Sequence, residues 1–209
     1  FVLVLGGIYG GVFKPTEAAS FGVVGLLLIA AIRGGLGFAG LRDALVETAL
    51  TTGMIFLILI GADIFNAFMA LSHVPQALSA VIVSAELPPY AVLVGFLLIY
   101  LLLGCLMDSL SMILLTMPIY FPVIMALDFG MGAEDKAIWF GILALSMVEV
   151  GLITPPVGMN VFVINKIAGD VPIAQTFRGV FPFLMSDAVR VTLIVIFAQL
   201  TYGILHLWR

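Results

Sequence analysis

The strongest constraint on the fold of this chain is a succession of long apolar runs that cover most of its 209 residues. A helix needs about 20 mostly apolar residues to cross a bilayer, and runs near that length recur at 49–71 and 180–207. Only helices and closed barrels span lipid, and these runs are too long and too continuously apolar for barrel strands. The sequence therefore predicts an all-α, polytopic membrane protein.

The composition excludes several other classes of protein. Charged residues make up 10% of the chain, whereas a soluble domain carries roughly a quarter. The net charge is −4 and there is no basic run, which argues against a nucleic-acid partner. No cofactor motif is found. Phe1 lies inside an apolar run without an initiator Met or a charged segment before it, so we expect the chain to begin within a helix of a longer protein.

A Gly- and Pro-bearing interruption divides the apolar run at 137–167. It comprises Gly151, Leu152, Ile153, Thr154, Pro155, Pro156, Val157 and Gly158, and Asn160 follows it. The two prolines have no N–H group, so carbonyl groups one turn earlier, near Gly151 and Leu152, lose their helical partners. Carbonyl, hydroxyl and amide oxygens suit a hard cation such as Na⁺. The pattern predicts an unwound functional break, and a simple proline kink is the alternative.

A second interruption separates two apolar runs at 90–106 and 112–127. Gly104, Asp108, Ser109 and Ser111 lie in or beside it. Both runs are slightly short for full spans. If they form a re-entrant hairpin, the polar residues lie at its tip, deep in the protein; if they form two spans, the same residues make a turn at the membrane surface. The residues alone leave both readings open.

Three further polar residues lie inside apolar runs. Glu149 precedes the break by about half a turn to one turn, and an intramembrane carboxylate is a functional candidate by default. It is either a proton site or a group that hydrogen-bonds the broken backbone. Asp63 and Asn66 lie one turn apart on one helix face, where they carry a function or simply cap the helix and reach water.

Three stretches carry a resemblance to a known family. They are GGIYGGVFKPTEAA at 6–19, GCLMDSLSMILLTMPIYFPV at 104–123 and EVGLITPPVGMNVFV at 149–163. In this order they are similar to the C-terminal half of the large membrane subunit of tripartite ATP-independent periplasmic (TRAP) transporters. The PTEA and GLITPPVG stretches are fairly specific when they occur together.

The resemblance implies an elevator-type transporter with inverted repeats, a re-entrant hairpin and a discontinuous helix. Residues 1–87 would be the end of the first repeat with scaffold-type helices, and 169–209 a loop with the last transmembrane helix. Residues 88–168 would be the transport-domain half, with the hairpin at 89–127 and the broken helix at 137–167. The tip CLMDSLS is less rich in Gly and Ser than the first-repeat hairpin of the family.

The resemblance also implies partners, cargo and location. The partners are a small four-helix membrane subunit and a periplasmic solute-binding protein. The cargo is an organic acid, such as a C4-dicarboxylate or sialic acid, whose uptake Na⁺ drives. We expect Na⁺ to bind near Gly151 and Thr154, with Glu149 in a supporting role, in a bacterial or archaeal cytoplasmic membrane.

Three alternatives compete with Na⁺-coupled transport. A proton-coupled anion transporter would use Glu149. An ion channel would need a filter-like repeat or rings of pore-lining charge, and the sequence has neither. An intramembrane hydrolase would need a nucleophile and a base or a set of metal ligands, for which Asp108 and Glu149 are the only plausible pair. We therefore expect a transporter and not an enzyme.

Overall fold

The computed structural model describes the backbone of residues 2–35, 37–169 and 171–208, and the side chains in those ranges except at 167–168 and 204–208. The chain divides into two compact units, 1–56 and 57–209. The predicted division at 87 and 168 stays a prediction.

Ten helices follow one another in the described residues. They are α1 Val2–Tyr9, α2 Pro15–Ile32, α3 Phe38–Ser72, α4 Val74–Ser84, α5 Pro89–Gly104, α6 Ser109–Ala126, α7 Ala133–Ile153, α8 Met159–Ala168, α9 Ile173–Ile196 and α10 Gln199–Trp208. Five of them (α2, α3, α6, α7 and α9) are long and apolar enough to cross a membrane, and α4 and α5 are shorter apolar helices. The predicted all-α, polytopic class is confirmed.

The first unit contains α1, α2 and the N-terminal part of α3. Pro15 opens α2, where its missing N–H costs no helical bond. The backbone N–H of Lys14 donates to a carboxylate oxygen of Glu17 at 2.9 Å, and the acidic side chain lies at the positive end of the helix. The KPTEA stretch is therefore a helix start, and the rings of Phe13 and Phe21 stack beside it at 4.4 Å.

The core of the second unit lies where α5, α6 and α7 pack together. Most large side chains of α7 are buried, among them Trp139, Phe140 and Leu143 with no exposed surface. Across α5 and α6, the rings of Phe96 and Tyr120 stack with centroids 4.2 Å apart. Because α7 is enclosed by its neighbours, the two arms of the hairpin are held against the helix that carries the break.

Three stretches differ from the predicted map. The mixed composition and the prolines of 73–89 predict a loop, but the segment contains the helix α4, because Pro75 lies in its first turn, where proline is tolerated. The segment 169–179, also predicted as a loop, is helical from Ile173 onward, and the predicted last helix divides at Phe197 into α9 and α10. Polar residues such as Gln175 and Arg178 mark where an apolar run ends, but the helical hydrogen bonds continue through them.

Candidate ion-binding site

The break in the α7–α8 segment begins at Thr154. The helix α7 ends at Ile153, Thr154 is extended at φ −89° and ψ 136°, and Gly158 precedes α8. Gly151 and Leu152 are still helical, so the prediction that the helix is unwound from Gly151 is wrong by three residues. The reason is that a proline disturbs the carbonyl groups four residues earlier without unwinding the residues that carry them.

Hydrogen bonds at the break leave specific oxygen atoms available. The Thr154 N–H donates to the Gly151 carbonyl at 3.0 Å, and the Thr154 hydroxyl donates to the Val150 carbonyl at 2.6 Å. A hydroxyl that donates its hydrogen keeps its lone pairs. The Leu152 carbonyl loses its helical partner because that position is Pro156, which has no N–H group. The break therefore offers oxygen ligands and few donors.

Gly158 closes the break with a backbone conformation that favours glycine. Its φ is +59°, in the left-handed region that a Cβ atom disfavours. A methyl group here would also lie 3.2 Å from the Thr154 carbonyl oxygen and 3.2 Å from the Phe177 ring. Pro155 and Pro156, joined by a cis peptide bond, and Asn160 are exposed, whereas Val157 is half-buried. The exposed surface of the break is therefore formed by Pro155, Pro156 and Asn160.

The hairpin tip is the turn from Cys105 to Asp108 between α5 and α6. A carboxylate oxygen of Asp108 accepts the Ser111 N–H at 3.0 Å, so Asp108 caps the start of α6. Ser109 and Ser111 lie in the first turn of α6 and are half-buried. Asp108 therefore shapes the tip through its own helix.

The ends of α5 and α7, which lead into the hairpin tip and the helix break, meet at two glycines. A methyl group added at Gly104 would lie 2.8 Å from the Gly151 Cα atom, and one added at Gly151 would lie 2.6 Å from the Gly104 Cα atom. The two backbones thus approach so closely that neither position accommodates a side chain without a shift. This contact brings together the two interruptions that the sequence marked separately.

Cys105 adds a second contact between the two interruptions. Its buried thiol lies 3.5 Å from the Pro155 carbonyl oxygen and 3.2 Å from the Leu101 carbonyl oxygen. From the sequence alone, Cys105 is predicted only to be a small packing residue, because it lies in an apolar run. Its position directly after Gly104 is the signal that could have marked it as part of the tip.

Other candidates lie apart from this contact. Glu149 is exposed on α7, and within the described residues no hydrogen bond joins its carboxylate to the broken backbone. On α3, Asp63 is exposed, whereas the shielded Oδ1 atom of Asn66 has no hydrogen-bond partner among the described residues. Two charges that the sequence reading passed over, Asp187 and Arg190, pair on α9 at 3.0 Å.

Comparison with known proteins identifies the family. Residues 1–200 match the family model of the tripartite ATP-independent periplasmic transporter, DctM component. The sialic acid TRAP transporter large permease protein SiaM of Vibrio cholerae is 31% identical over 201 residues, which are 96% of this chain and 45% of that protein. The C4-dicarboxylate TRAP transporter large permease protein DctM of Pseudomonas aeruginosa is 32% identical over 185 residues, 88% of this chain and 42% of that protein.

A third relative is the isethionate TRAP transporter permease protein DctMQ of Oleidesulfovibrio alaskensis, 31% identical over 184 residues, 88% of this chain and 28% of that protein. The chain thus spans less than half the length of these relatives. They are named as permeases and not as enzymes, and with five helices of membrane-spanning character they indicate a multi-pass protein of the bacterial inner membrane. This chain therefore belongs to the DctM family, the large permease component of tripartite ATP-independent periplasmic transporters.

Proposed function

We propose that this chain forms an ion- and substrate-binding part of a permease that imports organic acids together with Na⁺. The close approach of Gly104 and Gly151 is the observation that carries the proposal. Paired interruptions of apolar segments are where transporters bind substrate and coupling ions. Here the helix ends that lead into two such interruptions touch, and the Cys105 thiol of one interruption lies 3.5 Å from the Pro155 carbonyl oxygen of the other. Irregular backbone at membrane depth is tolerated only where protein buries it or water solvates it.

The Na⁺ ligands in this proposal are oxygens of the break. The Thr154 hydroxyl has lone pairs left after its bond to Val150, and the Gly151 carbonyl accepts one N–H and has a second lone pair. The Leu152 carbonyl has no helical N–H partner, because the residue four positions later is a proline. Neutral oxygens make a weak, reversible site, which a transporter needs because the ion must also leave. A carboxylate in direct contact would bind Na⁺ more tightly and would let protons compete.

The anion in this proposal binds at the start of α8. The N–H groups of a helix N-terminus favour negative charge, and Gly158 contributes no side-chain cap to α8. At α6 the same position is occupied by the Asp108 carboxylate. We assign Asn160, exposed in the first turn of α8, to the substrate, with Ser109 and Ser111 on the hairpin side.

The substrate class follows from chemistry shared by the relatives' names. Sialic acid, C4-dicarboxylates and isethionate are organic anions with a carboxylate or sulfonate group. We propose an organic acid as the substrate, a periplasmic solute-binding protein as its donor and a small four-helix membrane subunit as the partner in the membrane. The proposed movement is of the elevator type, with the hairpin and the broken helix travelling together.

Proton coupling through Glu149 is the second candidate. An exposed carboxylate on a membrane-spanning helix, one turn after the exposed Leu145, is the observation that favours it. Lipid is a poor environment for such a group, so it faces water or protein in the membrane. If Glu149 took up and released a proton during transport, substrate movement would be coupled to proton movement.

The two candidates are separated by uptake into liposomes that contain the complete transporter. With the binding protein and a radiolabelled organic acid outside, an inward Na⁺ gradient should drive accumulation and an inward proton gradient alone should not. Glu149→Gln should retain Na⁺-driven uptake. Accumulation driven by the proton gradient alone, and lost in Glu149→Gln, would contradict Na⁺ coupling and favour the second candidate.

A further inference from the structure

A hydrogen bond between two buried hydroxyl groups joins the arms of the hairpin. The Tyr100 hydroxyl of α5 lies 2.9 Å from the Thr116 hydroxyl of α6, and both residues are buried. In the part of the chain that the structure describes, no other hydrogen bond joins α5 to α6. The position of one arm relative to the other therefore depends on this bond and on the aromatic contacts beside it.

The direction of this bond follows from a second partner of Thr116. Its hydroxyl also lies 2.7 Å from the Met112 carbonyl oxygen, four residues earlier, and a carbonyl oxygen can only accept. A hydroxyl has one hydrogen, so Thr116 donates to Met112 and accepts from Tyr100. Tyr100→Phe would therefore remove one donor and leave the hydrogen of Thr116 paired.

Two prolines weaken α6 just beyond Thr116. Pro118 and Pro122 lie inside the helix and have no N–H group, so the carbonyl groups of Leu114 and Pro118 lose their helical partners. Helices bend at such prolines. The segment 109–117 is therefore joined less firmly to the rest of α6, and its position depends more on the side chains that it contacts.

Thr116 shares a helix face with a residue of the candidate site. Ser109, Met112 and Thr116 are spaced by three and four residues, which places them on one face of α6. At 1.5 Å per residue, Ser109 lies about 10 Å along α6 from Thr116, and Gly104 lies about 6 Å along α5 from Tyr100. The bond is therefore one to two turns from the tip, on the face of α6 that also carries Ser109.

The aromatic contacts between the arms include a matched comparison for Tyr100. The Tyr120 ring stacks on Phe96 with centroids 4.2 Å apart and meets the Tyr100 ring edge-on at 5.2 Å. Tyr120 is as buried as Thr116, but its hydroxyl forms no hydrogen bond to another described residue. Removing the Tyr120 hydroxyl therefore changes the same aromatic cluster without removing a bond between the arms.

We propose that Tyr100 is a positioning residue for the hairpin side of the candidate site. Its hydroxyl, through Thr116, holds the segment 109–117 against α5, whose end meets Gly151 of α7. This fixes where Ser109 lies relative to the break. The expected effect on Na⁺ rests on the proposed function, whereas the expected effect on the position of Ser109 does not.

The labelling rate of a cysteine at position 109 tests the proposal in the complete transporter in liposomes. A membrane-impermeant thiol reagent is applied to Ser109→Cys without Na⁺ and then with increasing Na⁺. Adding Tyr100→Phe should raise the labelling rate roughly two- to ten-fold, the weight of one hydrogen bond, and should raise the Na⁺ concentration for half-maximal protection. Adding Tyr120→Phe should change neither, and unsubstituted protein, whose Cys105 is buried, gives the background.

Variants of Thr116 in the same Ser109→Cys protein separate positioning from a general loss of stability. Thr116→Val should raise the labelling rate as Tyr100→Phe does, and Thr116→Ser should not, because it keeps a hydroxyl. Adding Tyr100→Phe to Thr116→Val should raise the rate no further, since both changes remove the same bond.

The results that would overturn the proposal are a labelling rate unchanged by Tyr100→Phe, an equal rise with Tyr120→Phe, or additive rises in the double variant at 100 and 116. Failure of the proposed function gives a different result. If Na⁺ did not slow the labelling of Ser109→Cys at any concentration, Na⁺ binding at the break would be contradicted, and the rates without Na⁺ would still decide the role of Tyr100.

Discussion

At the scale of single residues, the account depends on two glycines that let two backbones touch. Gly104 ends one arm of the hairpin, and Gly151 lies two residues before the end of α7. Added methyl groups at these positions would meet backbone atoms at 2.8 and 2.6 Å, distances at which the neighbouring chain itself must move. Backbone cannot yield as a flexible side chain can, so these positions are sensitive to small changes.

We expect Gly104→Ala and Gly151→Ala each to destabilise the protein by about 1–3 kcal/mol, the usual cost of overpacking a well-packed core. Both should lower the melting temperature of the purified protein and the rate of uptake. Gly95→Ala on α5 and Gly141→Ala on α7 are matched controls, because an added methyl group meets nothing within 4 Å at either position. Equal melting temperatures for all four variants would contradict the close approach.

The candidate residues could be predicted from the sequence, but their contacts with one another could not. The double proline predicted the break, because two missing N–H groups act locally and are visible in the sequence. The meeting of Gly104 with Gly151 was not predicted, since it depends on how α5 packs on α7. The polar, acidic stretch 128–136 predicts a loop, yet Lys136 at its end is buried in the first turn of α7.

At the scale of elements, Lys136 at the start of α7 forms hydrogen bonds to the end of α6. Its ammonium group donates to the Met125 carbonyl at 3.2 Å and to the Leu127 carbonyl, and it lies 5.9 Å from the centroid of the Phe129 ring. The last carbonyl groups of a helix have no helical partner, and a positive charge there is favourable. The buried ammonium group of Lys136 therefore links the start of α7 to the carbonyl groups at the end of α6.

Lys136→Met should lower the free energy of unfolding by about 1–3 kcal/mol, because it leaves buried carbonyl groups without a donor. The measurement is the melting temperature in detergent. Lys166→Met serves as the control, since Lys166 is exposed in the last turn of α8 and should change stability much less. A similar shift for both variants would show that Lys136 contributes only general surface charge.

The elements themselves were predictable where apolar runs and prolines coincide. The hairpin predicted at 89–127 corresponds to α5 and α6, and the broken helix predicted at 137–167 corresponds to α7 and α8. The helix α4 is not predicted by the sequence, because Pro75 and the pair Pro88–Pro89 indicate a loop. Its proline lies within the first helical turn, where it starts a helix as readily as it ends one.

At the scale of the whole molecule, the open question of the sequence was whether 90–127 turns inside the membrane or at its surface. The contact of the tip residue Cys105 with Pro155 of the break bears on it, because the arm α5 that leads to the tip has 16 residues and rises only about 24 Å, less than the roughly 30 Å of the hydrocarbon core. A tip that touches the break shares its depth. We therefore propose that the hairpin is re-entrant, with Asp108, Ser109 and Ser111 within the membrane.

Ser109→Cys tests this placement in the complete transporter. A membrane-impermeant thiol reagent should label the cysteine slowly. Substrate with Na⁺ should slow labelling further, because the proposed site for both lies between tip and break. Unsubstituted protein reports the background of the buried Cys105. Fast labelling that is the same with and without ligand would indicate a plain turn at the membrane surface.

The central claim is that the break binds Na⁺ through Thr154 and its neighbouring carbonyl groups, and the Na⁺ dependence of initial uptake tests it most directly. Thr154→Val removes one neutral ligand and should cost about 1–2 kcal/mol, or roughly five- to thirty-fold in apparent Na⁺ affinity. Thr48→Val is the matched control, since the Thr48 hydroxyl also donates to a carbonyl four residues earlier, at 2.7 Å. A Na⁺ curve for Thr154→Val that coincides with those of the control and the unsubstituted transporter would contradict the account.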